Sequence, residues 1–182
     1  VNPWVDLAAD AESLPFPDAS FDCVVCAAVL HHLHRPRRAV EEACRVLRPD
    51  GLLCVLEPHA GWLLRSLLAL RGHEYVDDTV DPFGPDSFQR GDNNWDGNNA
   101  IGDLLFGDPV RFSAEFPELE IVHHRFAECL LFMNSGGVDH RAPYIPLPEW
   151  ILIGVAALDR ALCRIWPQPL ALYREVVMRR RP

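Results

Sequence analysis

Residues 10–58 form the stretch that decides the fold, and they read DAESLPFPDASFDCVVCAAVLHHLHRPRRAVEEACRVLRPDGLLCVLEP. Phe21–Val29 is almost wholly apolar, which is typical of a parallel β-strand covered on both faces. Pro36 suits the first turn of a helix, and the apolar residues after it recur at helical spacing. Pro49–Gly51 ends that helix, and Leu52–Leu56 is a second buried strand. The stretch therefore predicts a β-α-β unit with parallel strands and a right-handed crossover.

The remaining chain predicts a few further elements. Its apolar and polar patterns favour a helix at 61–70, a long loop at 81–103, a strand at 119–132, a helix at 148–166 and a last strand at 170–178. At 182 residues, with 49% hydrophobic residues, the chain has the size and apolar content of one globular domain.

Charge and cysteine usage narrow the class of protein. A net charge of −9 argues against a nucleic-acid-binding protein, which would present a basic face. The sequence shows neither a signal peptide nor an apolar run of about 18 residues, so we expect no membrane span. The six cysteines are scattered along the sequence, which is typical of a protein that uses reduced cysteine as a small apolar residue. We therefore expect a reducing compartment and a cytoplasmic protein.

Three motifs suggest metal binding, and we expect none of them to bind a metal ion. Cys23 and Cys26 are three apart in a predicted strand, so their thiols should point to opposite faces. The histidines His31, His32 and His34 have no carboxylate at a zinc-protease spacing. Residues 92–103, DNNWDGNNAIGD, match a calcium loop at positions 1, 3, 5 and 6 but end in Asp103 instead of glutamate.

Several blocks of residues 10–58 occur in a fixed order that resembles a known family. An Asp10-Ala11 pair precedes a LPFPD turn, a strand that follows Phe21-Asp22 and leads into Leu30-His31-His32, and the R-V-L-x-P-x-G pattern at 45–51. These blocks resemble the class I S-adenosylmethionine-dependent methyltransferases of the methyltransferase type 11 kind.

The resemblance implies an α/β fold with a Rossmann-like sheet whose family strand order is 3-2-1-4-5-7-6. Strands 3 to 7 are expected here, which makes this a partial sheet. Strand 3 would end near Val5–Ala9. The four later strands would lie in the spatial order 4-5-7-6, with the last strand antiparallel to its neighbours.

The same resemblance implies a cofactor, S-adenosylmethionine, and its binding residues. The Asp10 carboxylate would accept a hydrogen bond from the adenine amino group, and the Ala11 backbone would lie beside the ring. The backbone of Cys26 and Ala27 would pass the methionine part. The family often has Ser-Ser-Glu where this chain has Cys26-Ala27-Ala28, so a polar role for residue 28 is lost.

Four residues are candidate catalytic groups, because each follows a strand at the edge where ligands of α/β sheets bind. His31 or His32 could be the general base for a hydroxyl acceptor, since an imidazole titrates near neutral pH. Glu57 or His59 could orient or deprotonate the acceptor. Phe83, Trp95, Asn98 and Asn99 would contact the acceptor from a lid.

The family's glycine-rich cofactor loop would lie before Asp10, where this chain has nine residues. We therefore expect residues 1–182 to form a single partial methyltransferase domain that is weak or inactive alone. Its parts would be a cofactor-side segment at 1–58, an acceptor-site insertion or lid at 59–118, and C-terminal strands with a helix at 119–182. The acceptor would be a small molecule or a glycan- or lipid-linked group. The alternative is a non-catalytic methyltransferase-like subunit or binding module, completed by a partner chain or by the missing N-terminal half.

Overall fold

The computed structural model describes residues 6–71, 74–84, 96–133 and 146–182. Its elements follow one another as β1 (Phe21–Ala27), a 3-10 helix (Leu30–His32), α1 (Pro36–Val46), β2 (Leu47–Pro58), α2 (Trp62–Arg71), α3 (Ile101–Phe106), α4 (Pro109–Glu115), β3 (Leu119–Ala127), a second 3-10 helix (Leu131–Met133), α5 (Glu149–Ile165), α6 (Pro167–Leu170) and β4 (Tyr173–Arg180).

The four strands form one mixed sheet in the order β1-β2-β4-β3. β1 and β2 are parallel, with Val25 opposite Cys54. β4 is antiparallel to both β2 and β3, with Val55 opposite Val176 across the first of these pairs. In the strand numbering of the methyltransferase family this is the order 4-5-7-6 with an antiparallel last strand. The predicted strand order is therefore confirmed.

The third-strand end expected near Val5–Ala9 is not formed over residues 6–9, and Val5 lies outside the described residues. These residues are exposed and lie along no strand of the four-stranded sheet. Their backbone therefore lacks the interstrand hydrogen bonds that would hold it extended. Asp10 instead makes an isolated bridge with Ser13, which closes a local turn.

Two strands differ in length from the prediction. β2 begins at Leu47, opposite Phe21, because the segment that ends α1 continues directly into extended backbone. β3 ends at Ala127, several residues early, because Glu128 adopts a left-handed conformation with φ of 56°. A non-glycine residue rarely adopts this conformation, and it turns the chain out of the sheet.

The main core lies on one face of the sheet. α1 covers it with Val40, Ala43 and neighbouring apolar residues. The segment that we expected to be a loop and lid also contributes, since α3, α4 and the turn after α4 bury Ile101, Leu105, Phe106, Phe112 and Phe116. Phe83 is 4% exposed and lies beside Phe116. It is therefore a core residue, and our expectation that it contacts an acceptor is wrong.

The opposite face of β1 is exposed. Val25 is 69% exposed, and Cys23 is exposed on the same side. Cys26 is half-buried and packs against the core. The two thiols thus point to opposite faces and form no disulfide, as predicted. None of the helices described has both the length and the hydropathy needed to cross a membrane.

Candidate active site at the carboxyl edge of the sheet

Two parallel strands end at the same edge of the sheet. Ala27, the last residue of β1, is opposite Leu56 near the end of β2. Ala28 then adopts a left-handed conformation with φ of 53°, and its N–H donates to the Leu56 carbonyl at 2.7 Å. The chain after β1 therefore turns across the end of β2. Ligands of open α/β sheets bind at this edge.

Glu57 is the buried hydrogen-bond acceptor for the backbone that follows β1 at this edge. Its side chain is fully buried, at 0% exposure. Oε1 accepts the backbone N–H groups of Val29 at 2.9 Å and Leu30 at 2.7 Å. Oε2 accepts the His31 backbone N–H at 3.3 Å and lies 2.7 Å from His31 Nδ1. The turn at Ala28 makes successive N–H groups converge on an anion, and the anion here is the Glu57 carboxylate.

These hydrogen bonds fix the His31 ring. With Nδ1–H donating to Glu57, the tautomer leaves Nε2 as the proton acceptor. His31 is 3% exposed, and the ring centroid of His32 lies 4.0 Å from its own. His32 Nε2 lies 4.0 Å from a Glu74 carboxylate oxygen. The structure therefore brings three of the candidate residues, His31, His32 and Glu57, together.

The backbone at Gly97 closes over the histidine pair. A Cβ added to Gly97 would lie 2.5 Å from His31 Cδ2 and 2.8 Å from His32 Nδ1. Next to it, the Asn98 N–H donates to the His31 carbonyl at 2.8 Å. Only glycine permits so close an approach of backbone to the two rings.

Asn98 and Asn99 hold this loop in place. Each is 2% exposed. The Asn98 amide exchanges hydrogen bonds with the Asp77 backbone, and Asn99 Nδ2 donates to Glu74 at 2.8 Å. Our expectation that they contact an acceptor is therefore wrong, because both amides are used within the protein. Trp95 lies outside the described residues.

His59 belongs to a second cluster, which sequence reasoning missed. His59 Nδ1 lies 2.7 Å from Asp103 Oδ1, and that oxygen also accepts Arg174 Nη2 at 2.7 Å. Asp103 Oδ2 accepts the Ala60 N–H at 2.8 Å. Burial pushes the pKa of the Asp103 carboxyl upward, but the hydrogen bond from His59, with Arg174 and the Ala60 N–H, outweighs burial and lowers this pKa.

In the second cluster His59 and Arg174 are buried, and Asp103 is partly exposed. His59 is 2% exposed, and its Nε2 has no hydrogen-bond partner among the described residues. A Cβ on Gly61 would lie 3.1 Å from that nitrogen and 2.2 Å from the Gln168 carbonyl oxygen. The His59 ring also packs edge-on against Phe126 at 4.7 Å. The cluster joins the end of β2 to α3 and β4, and this geometry favours a structural role.

Asp103 is the last residue of the calcium-like motif, and in the structure it has protein partners. Its carboxylate is engaged by His59, Arg174 and Ala60. The first ligand positions of the motif, at residues 92 and 94, lie outside the described residues. No local spacing in the sequence marks Asp103 or Arg174, because each meets His59 only through the fold.

Of the residues expected to bind S-adenosylmethionine, Asp10 and Ala11 precede β1 in the chain, and Cys26 and Ala27 are its last two residues. Asp10 is exposed, and its Oδ1 accepts the Glu12 N–H at 2.9 Å. Ala11 packs against the core, and Ala27 is exposed. Burial, and then the charge of Glu57, raise the pKa of the Cys26 thiol to about 11, so this thiol is neutral. An exposed carboxylate beside a small residue, and a small residue ending β1, fit the adenine and methionine parts of this cofactor.

Comparison with known proteins identifies the segment that contains these residues. The methyltransferase domain family matches residues 2–55. The uncharacterized methyltransferase YcgJ of Bacillus subtilis is 48% identical over 50 residues, which are 28% of this chain and 20% of YcgJ. The ubiquinone/menaquinone biosynthesis C-methyltransferase UbiE of Laribacter hongkongensis is 50% identical over 54 residues, 30% of this chain and 22% of that protein.

The matched stretch thus spans about a fifth of the length of these curated relatives. Among solved structures, a SAM-dependent methyltransferase from Archaeoglobus fulgidus aligns with 96% of this chain and 66% of its own, with 14% identity and a TM-score of 0.48. Residues 2–55 of this chain are therefore similar in sequence to the corresponding segment of S-adenosylmethionine-dependent methyltransferases.

Proposed function

We propose that this protein takes part in methyl transfer from S-adenosylmethionine to a hydroxyl group of a small molecule or of a glycan- or lipid-linked acceptor. The observation that carries the proposal is the Glu57–His31 pair at the carboxyl edge of the sheet. A buried carboxylate holds an imidazole there in one tautomer, next to the strand end that the family resemblance assigns to the cofactor.

The cofactor would be held by the residues that fit it. Asp10 would accept from the adenine amino group, Ala11 would lie beside the ring, and Cys26 and Ala27 would line the methionine side. When bound, S-adenosylmethionine supplies an activated methyl group. The protein's own contribution is then to place the acceptor in line and to remove its proton, and positioning alone can supply roughly 7–11 kcal/mol.

His31 is the residue best arranged to remove that proton. Its Nδ1–H donates to Glu57, so Nε2 is the atom that would accept a proton from the hydroxyl group. As His31 becomes charged, the Glu57 carboxylate at 2.7 Å stabilises the imidazolium. His32 remains a second candidate base because its ring packs against His31. His59 is as buried as His31, but its Nε2, the atom that would accept the proton, lies against Gly61. Glu57 acts here as a positioning residue.

Transfer of a labelled methyl group tests the proposal. The protein would be incubated with methyl-labelled S-adenosylmethionine and extracts of its source cells, separated into lipid, glycan, small-molecule, protein and nucleic-acid fractions. We expect protein-dependent label in one of the first three fractions. His31→Gln should lower transfer roughly 100-fold, as expected on loss of a general base, with little change in cofactor binding. His34→Gln, an exposed neighbour, is the control and should transfer at nearly the wild-type rate.

Two results would overturn the proposal separately. No label in the lipid, glycan or small-molecule fractions would contradict the acceptor class and the activity. Transfer by His31→Gln at the wild-type rate would leave the activity standing and remove His31 as the base.

The exposed face and edge of β1 favour a second candidate function. Val25 is 69% exposed, and β1 pairs with one strand, β2, among the described residues. Such an edge can accept another strand. The chain would then be a methyltransferase-like binding module completed by a partner chain. Val25→Lys should abolish co-purification with such a partner, and an unchanged set of co-purifying chains would contradict this function.

A further inference from the structure

A buried cluster outside the candidate active site combines two cysteines with one aspartate. Asp159 lies on α5 and is 2% exposed, while Cys163, four residues later on the same helix face, is 1% exposed. Cys129 follows β3 and is 8% exposed. One ligand atom from each of the three lies within 4.8 Å of those of the other two.

The local backbone orients the aspartate. Glu128, with φ of 56°, turns the chain at the end of β3. The N–H groups of Cys129, Leu130 and Leu131 then converge on Asp159 Oδ1 at 2.8, 2.6 and 3.0 Å. Oδ1 is thus fully used by the backbone. The other oxygen, Oδ2, points toward the cysteines and lies 3.9 Å from Cys163 Sγ.

We propose that Cys129, Cys163 and Asp159 Oδ2 form a binding site for one soft divalent cation of the zinc type. Zinc binds thiolate sulfur at about 2.3 Å and carboxylate oxygen at about 2.0–2.2 Å, so tetrahedral ligands lie about 3.6–3.8 Å apart. The spacing of the three ligand atoms requires only a small inward movement to reach this geometry. Three protein ligands leave a fourth position open to water or to another group.

The net charge of the cluster is the same with and without the bound cation. Without a cation, two neutral thiols and one carboxylate carry a charge of −1. On binding, each thiol loses its proton and the cation adds two positive charges, so the cluster again carries −1. The three backbone N–H groups on Oδ1 stabilise that charge in both states. Binding would fasten the end of β3 to α5.

Cadmium is a suitable probe because its thiolate complexes absorb in the ultraviolet. We expect the reduced wild-type chain to bind one equivalent with a thiolate-to-cadmium band. Cys163→Ser should abolish the band. Asp159→Asn keeps an oxygen that can accept the three N–H groups but loses the charged ligand, and it should weaken affinity by at least about tenfold. Zinc should compete for the same site and raise the melting temperature of the wild type.

The matched control is Cys54→Ser, because Cys54 is a half-buried thiol on β2 near Cys23 and outside the cluster. Its cadmium band should equal that of the wild type. Absence of a band in the folded wild type would overturn the proposal. So would a band that survives in Cys163→Ser or disappears in Cys54→Ser. If Cys163→Ser does not fold, Asp159→Asn and the wild-type titration still decide the question.

Discussion

At the scale of single residues, Glu57 holds the candidate active site together. It is a buried carboxylate whose two oxygens receive three backbone N–H groups and one imidazole N–H. A buried charge is tolerated only when it is hydrogen-bonded in this way. The sequence predicted that Glu57 lies near the ligand, but its donors could not be predicted, because they depend on the turn at Ala28.

Replacing Glu57 with glutamine should destabilise the fold. The amide NH₂ would face backbone donors, so at least one charge-assisted hydrogen bond is lost, and we expect a loss of about 1.5–3 kcal/mol in the free energy of unfolding. Urea denaturation measures this loss. Glu41→Gln is the control, because Glu41 pairs with Arg37 at the surface and should cost less than about 1 kcal/mol. Equal losses in the two variants would contradict the role of Glu57.

Asp103 should make stability depend on pH. Its folded-state pKa is lowered below the ordinary value of 3.8, so it stabilises the fold above that value and this contribution is lost as the pH falls through the folded pKa. Asp103→Asn should therefore be less stable than the wild type near neutral pH, and the difference should shrink below about pH 4. Denaturation at a series of pH values measures it.

The control for Asp103 is Asp22→Asn, since Asp22 is exposed and pairs with Arg48 at the surface. Its stability should differ little from the wild type across the series. A difference between Asp103→Asn and wild type that stays constant from neutral to acid pH would show that the Asp103 charge does not stabilise the fold.

At the scale of elements, local patterns predicted the existence of strands and helices better than their ends. The apolar runs predicted β1 and β4 closely. The early end of β3 depends on the left-handed Glu128, which its residue type does not signal. α3 begins at Ile101 inside a segment whose composition is typical of a loop, because packing of Ile101 and Leu105 on the core decides its conformation.

Two glycines in different elements should respond oppositely to alanine. At Gly61 a Cβ would meet the Gln168 carbonyl oxygen at 2.2 Å, so backbone must move and we expect a loss of roughly 1–3 kcal/mol. At Gly154, on the exposed side of α5, no atom of the described residues lies within 4 Å of an added Cβ. Gly154→Ala should stabilise by about 0.5–1 kcal/mol through higher helix propensity. Urea denaturation of both variants measures these changes in the free energy of unfolding. A Gly61→Ala variant as stable as the wild type would contradict the close contact between Gly61 and the Gln168 carbonyl.

At the scale of the whole molecule, the sheet order was predictable and the second cluster was not. The order 4-5-7-6 follows from the family resemblance of residues 10–58 and from the pattern of two later strands. The His59–Asp103–Arg174 cluster joins residues 44 and 71 positions apart. Such contacts depend on how α3 and β4 pack together, and no local motif encodes that packing.

Backbone amide chemical shifts of this chain, followed during titration with S-adenosylmethionine, test whether the cofactor binds at Asp10, Ala11 and the end of β1. The titration should extend into the millimolar range, so that weak binding is also detected. We predict shift changes confined to Asp10, Ala11, Cys26, Ala27 and their neighbours, and much smaller changes in Asp10→Ala. Changes confined to another surface, no changes at these residues, or equal affinity in Asp10→Ala would contradict the claim.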